Sequence, residues 1–262
     1  MILIKKIWRI LHQKILHFIG IILGNPITHM PEHFVIIAPH PDDEVFGCGG
    51  LISKCTENNK KSEILFLTQG EASHQQCCNI PINQIGAQRM ELAARAAEIL
   101  GVSQYTLVFP AGKDGNLPRK CSEAFGLMAG QLTEAIKRAA PEAVFCPHPC
   151  EGWPDHIAAS ELTIAAIDML PAASKPKLYY YCVWFWYSMP LHRALKLNWG
   201  KARILNISAQ LPLKRQAMSV YLDAFAPCGK PWVGKLPKEL LRSFDRKTEL
   251  FFEADKIIET II

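Results

Sequence analysis

The sequence predicts an α/β protein built on a mainly parallel sheet with helices on both faces. Three observations carry that reading. Short apolar runs such as Phe34–Ala38 and Glu63–Thr68 alternate with longer helical stretches, as buried parallel strands and their crossover helices do. The chain has 262 residues, 49% hydrophobic and 20% charged, which suffices for a full core without disulfide or metal staples. The residues with chemical potential fall just past predicted strand ends, where such sheets bind ligands.

Residues 1–24 come first. Ile4, Ile7, Trp8, Leu11, Ile15, Phe18, Ile19 and Ile22 share one helical stripe, and Lys5, Lys6, Arg9, His12, Gln13 and His17 share the other side. Charges interrupt the roughly 20-residue apolar run that a membrane span needs. Gly24-Asn25-Pro26 reads as a helix end rather than a cleavage site. The expectation is a basic amphipathic helix, suited to peripheral contact with an anionic membrane or to packing on its own domain. Residues 1–30 are accordingly taken as an N-terminal helix and 31–262 as one domain.

In the body, Phe34–Ala38 is the first strand, Leu51–Thr56 part of a helix and Glu63–Thr68 the second strand. Asn83–Leu100 is an Ala-rich helix closed by Gly101, Tyr105–Phe109 the third strand, and Cys121–Ala140 a helix ended by Pro141. Ala143–Cys146 is the fourth strand, His156–Met169 a helix and Leu178–Trp186 a long aromatic strand. The order gives a Rossmann-like sheet, and the tail around Pro227–Pro231 is expected to form a cap. Net charge is +5, but Lys5, Lys6, Arg9 and Lys14 precede the first acidic residue, Glu32. The body is therefore nearly neutral, and no nucleic-acid partner is expected. Nine cysteines without a Cys-x-x-Cys pair fit a reducing, cytoplasmic setting, peripheral at the inner face of the membrane if residues 1–24 dock there rather than pack on the domain.

The first strand runs into Pro39-His40-Pro41-Asp42-Asp43-Glu44, then Gly47-Cys48-Gly49-Gly50, read as a tight turn into a helix. His40 and Asp43 offer a nitrogen and an oxygen, a pairing common at catalytic zinc. Asp42 is placed to face an attacking water as a base, and Glu44 reads as a helix-start carboxylate. The third metal ligand comes from Trp153-Pro154-Asp155-His156, where His156 opens a helix. Such a Zn2+ site suits amide or ester hydrolysis.

These residues closely resemble the LmbE/PIG-L family of zinc deacetylases, marked by a strand followed by His-Pro-Asp-Asp-Glu, over residues Phe34 to Phe225. The resemblance implies that His40, Asp43 and His156 bind zinc and Asp42 is the general base. It makes Arg89, in Gln88-Arg89-Met90-Glu91-Leu92, a substrate-binding candidate, and Asp114, in Asp114-Gly115, a contact to sugar hydroxyls. Lys214, Ala217 and Tyr221 match a weaker C-terminal pattern with no assigned chemistry. It implies an N-acetylated amino-sugar conjugate as partner. One position departs: the family's second motif is His-Pro-Asp-His, and Trp153 stands in place of its first His. The expectation is that His148, in Cys146-Pro147-His148-Pro149, supplies the missing imidazole while Trp153 lines the substrate pocket. A missing acid would cost about 10²–10⁴ in rate. The plain alternatives are a solvated Arg89, an Asp114 serving only its turn, and a packed loop histidine at 148. A carbohydrate-binding protein with little turnover, and a hydrolase of another bond such as an ester, stay open.

Overall fold

The computed structural model describes residues 2–255 except 76–78, 103, 110–111 and 121, so Cys77, Cys78 and Cys121 lie outside the described residues. Strands are β1 (Asn25–Pro26), β2 (His33–Ala38), β3 (Lys61–Phe66), β4 (Gln104–Leu107), β5 (Ala143–Pro147), β6 (Lys177–Tyr181), β7 (Ala202–Asn206) and β8 (Thr248–Glu253). Helices are α1 (Ile2–Leu23), α2 (Asp43–Glu57), α3 (Ile82–Leu100), α4 (Glu123–Ala139), α5 (Pro154–Asp168), α6 (Phe185–Ser188), α7 (Leu191–Ala194), α8 (Leu211–Leu222) and α9 (Lys238–Phe244).

β2 has five consecutive buried residues, and the sheet forms around it in the order β1-β7-β8-β6-β5-β2-β3-β4. Neighbours are parallel except where β8 lies antiparallel between β6 and β7. β2 and β5 are adjacent, with Phe34 opposite Ala143 and Ile36 opposite Phe145. That register sets their carboxyl ends side by side, so the loop carrying His40 meets the loop carrying His156. Gly101 closes α3 at φ +72°, the left-handed cap that favours glycine.

Three expectations are corrected. Gly47, Gly49 and Gly50 sit inside α2 rather than in a turn before it. They are small because neighbours press on the helix: a Cβ on Gly47 would lie 2.4 Å from the Tyr181 ring, and one on Gly50 2.6 Å from Ile207. The aromatic run does not continue as a strand to Trp186. β6 stops at Tyr181, opposite Pro147 at the end of β5, and the chain then turns into α6. The tail does more than cap the domain, because β8 completes the sheet, although Val233 and Leu236 do reach the site described below.

α1 packs against β7, α6, α7 and α9. Its inward side is mixed rather than its main apolar stripe. Gln13, Leu16 and Gly20 are buried, and the His17 ring meets Trp186 edge-on at 6.1 Å.

Candidate metal centre

The His40–Asp43 loop turns so sharply that Asp42 takes φ +133°, a conformation a non-glycine residue rarely holds. Neighbours hold it there. The Asp42 amide donates to Glu44 (2.8 Å), and Arg89 on α3 donates to the carbonyls of Pro41 (2.6 Å) and Gly70 (2.8 Å) and to Asp42 Oδ2 (3.2 Å). Glu44 in turn accepts the Tyr221 hydroxyl, and burial carries its pKa to about 7.

Beside this loop the three expected ligands converge. His40 Nδ1 lies 3.2 Å from Asp43 Oδ2, and His156 Nε2 lies 3.3 Å from Asp43 Oδ1. All three side chains are buried. His40, Asp43 and His156 form one group able to hold a metal, and His40, Asp114 and Asp155 form another. Donor chemistry favours the first. Asp155 has both oxygens engaged, by the amides of Gly115 (2.6 Å) and Leu117 (3.2 Å), and Asp114 Oδ2 accepts that of Ala72 (2.9 Å), whereas Asp43 accepts one amide, that of His40 (3.1 Å), and keeps Oδ1 towards His156. Both carboxylates of the second group face His40 Nε2, at 3.0 Å for Asp155 and 3.1 Å for Asp114, and so support the far side of that ring.

His156 has the matching arrangement. Its Nδ1 lies 2.6 Å from Glu151, whose other oxygen accepts the Val183 amide. Its Nε2 is buried with no hydrogen-bond partner and is turned towards Asp43. A buried nitrogen left unsatisfied is costly unless something occupies its lone pair. The set therefore fits a divalent metal, with each imidazole backed by a carboxylate as metal-binding histidines usually are. The electrostatics agree. Burial works against a charged His156, but Asp43 and Glu151 outweigh it and raise its pKa to about 9, and the same field favours any cation there. Burial likewise works against a charged Asp43, yet His156 and His40 hold it well below the usual carboxylate range. Burial pushes Asp42 up, with Arg89 opposing.

The group opens into a cavity of about 270 Å³ whose lining includes His40, Asp42, Asp43, Arg89, Asp114 and Trp153. Trp153 is 44% exposed and stacks on Trp184, with centroids 4.6 Å apart and planes 7° apart. Arg89 and Asp114 thus reach the cavity wall, although both also bond to the protein itself. His148 is the correction. It lies wholly buried among Tyr180, Phe185 and Phe252, with ring centroids 5.0 to 5.8 Å away, and is not part of the cavity wall. Burial depresses its pKa to about 3, so it is a neutral core histidine. Sequence reasoning assigned no role to Glu151, Asp155 or Trp184. A signal existed for the first: a carboxylate in the same loop, five residues before His156.

A mainly parallel α/β sheet with a His–Asp–His group able to hold a metal at the carboxyl ends of adjacent strands defines an α/β class with its candidate site at the strand ends. Within it the chain belongs to the PIG-L (GlcNAc-PI de-N-acetylase) family, whose model matches residues 35–167. It is 33% identical over 136 residues to a diacetylchitobiose deacetylase of Thermococcus kodakarensis, a match covering 50% of this chain and 48% of that protein. It therefore spans about half the length of that relative. It is 26% identical over 202 residues to a probable N-acetyl-α-D-glucosaminyl L-malate deacetylase of Bacillus anthracis, covering 74% of this chain and 82% of that one. The solved N,N′-diacetylchitobiose deacetylase of Pyrococcus horikoshii has a similar fold, with TM-score 0.60 at 23% identity over 85% of this chain and 80% of its own.

Proposed function

We propose that this chain is a zinc-dependent deacetylase that hydrolyses the acetamide of an N-acetylglucosamine-containing conjugate. The observation carrying the reading is the buried His40–Asp43–His156 group, with an unsatisfied His156 nitrogen and Asp42 beside it on the wall of an open cavity. Zinc bound there would act as a Lewis acid on the acetyl carbonyl. The protein's own residues do the rest. Asp42 takes a proton from the attacking water and returns it to the nitrogen of the departing amine, giving acetate and free amino sugar. Arg89 fixes the Asp42 loop, Asp155 and Asp114 fix His40, and Glu151 fixes His156. The stacked Trp153 and Trp184 offer a flat apolar face to a sugar ring. We assign the catalytic unit to residues 31–262, with α1 appended to it, and the compartment to the cytoplasm.

One observation favours a second reading. With His148 in the core and Trp153 on the wall, no second imidazole stands ready to donate to the oxyanion. A carbohydrate-binding protein with little turnover would look the same. Incubating the zinc-loaded protein with N-acetylglucosamine conjugates separates the two. Released primary amine with matching acetate supports the deacetylase. Saturable sugar binding that depends on Trp153 without any released amine supports the binding protein.

A further inference from the structure

An amphipathic helix on a globular domain normally turns its apolar stripe inward. α1 leaves most of its stripe outside. Leu16 is fully buried and Ile19 packs on the core, but the rest of the inward side is polar: Arg9 lies over the Tyr187 ring at 3.8 Å, His17 meets Trp186, and Gln13 is 3% exposed. Ile7, Leu11, Phe18 and Ile22, spaced four, seven and four residues apart, are left outside as one stripe with Trp8 beside it, each 47–63% exposed. A contiguous apolar strip of this size marks an interaction surface.

We propose that this face docks in the plane of an anionic lipid bilayer. The charges around it fit that occupant. Lys14 is exposed on α1, which carries no acidic residue. α7, packed on α1, exposes His192 and Arg193, and Leu195 and Lys196 follow exposed just beyond it. Basic groups around an apolar stripe are drawn to anionic headgroups, and a tryptophan in the stripe suits the interface. A two-fold pairing of two such faces would set the same cations against one another. Crossing the bilayer does not fit either: one side of the helix is fixed to the domain, and among the described residues no helix is long and apolar enough.

α1 is also in contact, through aromatic rings, with the cavity wall. Arg9 stacks on Tyr187, Tyr187 meets Trp184 at 6.0 Å, and Trp184 stacks on Trp153 at the cavity wall. A run of ring contacts therefore joins the inner side of α1 to the cavity wall.

The test is flotation of the full-length protein with vesicles of phosphatidylcholine and phosphatidylglycerol in equal amounts, against vesicles of phosphatidylcholine alone. It needs no turnover, so it stands apart from the deacetylase reading. The parent should float with the anionic vesicles and release as salt is raised. The combined variant L11Q/F18Q/I22Q, changed only at exposed positions, should keep the parent's melting temperature and lose vesicle binding by about tenfold or more. A parent that never floats, or a variant that floats as well as the parent, overturns the proposal. So does a parent dimer that the variant dissolves while neither binds vesicles, which would assign the stripe to a second copy.

Discussion

Each imidazole of the centre is set by its neighbours. Glu151 lies 2.6 Å from His156 Nδ1, which favours the proton there and would leave Nε2 to a metal in the proposed site. Replacing Glu151 by Gln should weaken zinc binding by about 10–100-fold while the fold survives, read by titration against a competing chelator. Unchanged affinity would mean that the contact is packing alone. Asp42 tests the chemistry instead. Asp42→Asn preserves shape but cannot take a proton, so zinc should stay bound while hydrolysis falls by about 10²–10⁴. Parent-level turnover in that variant would remove Asp42 from the base role. His148→Ala should act on stability, lowering the melting temperature through a cavity among Tyr180, Phe185 and Phe252, rather than through a lost proton donor. At this scale the strand-end motif made His40, Asp42, Asp43 and His156 legible. The position of His148 was not, because a histidine at a strand end reads the same whether its ring turns to the cavity or to the aromatic core.

At the scale of elements, α2 decides where Asp43 stands. Its first turn begins at Asp43, and its middle is held from outside. Glu249 on β8 accepts the amides of Gly50 (2.7 Å) and Leu51 (2.8 Å), and Lys214 on α8 donates to Phe46 O (3.0 Å) and to Glu249 (2.6 Å). Lys214 and Glu249 are both nearly fully buried, so their charges are of value only together. Lys214→Met should cost about 3–5 kcal/mol in denaturant unfolding, because Glu249 is left buried without its cation. Gly47→Ala should cost about 1–3 kcal/mol, since its methyl meets the Tyr181 ring, which must move. A neutral result for either would show that α2 has slack. The sequence marked these residues, as a glycine cluster and as the Lys214, Ala217, Tyr221 pattern, without their purpose. Helix glycines look like turn glycines until the neighbouring ring is known. The span of β6 was overread for a related reason. Aromatic residues suit strands, but those after Tyr181 lie beyond the end of the neighbouring β5, which leaves them no partner on that side.

For the molecule as a whole, the parallel half of the sheet was readable because every crossover carries its own apolar strand and helix. The other half was not. β8 enters antiparallel between β6 and β7 from the end of the chain, a pairing set by long-range contacts that no local pattern announces. The orientation of α1 was equally hidden, since periodicity gives two faces but not which of them the domain takes. What the molecule was expected to do rests on the two loops that β2 and β5 bring together, and this is where a decisive measurement lies. Acetate release from an N-acetylglucosamine conjugate should be followed on the protein as isolated, after complete removal of metal by a chelator, and after zinc is returned. The account predicts release that disappears with the metal and recovers with about one zinc per chain. Release that continues undiminished in the metal-free protein, or none from the zinc-loaded protein, would contradict it.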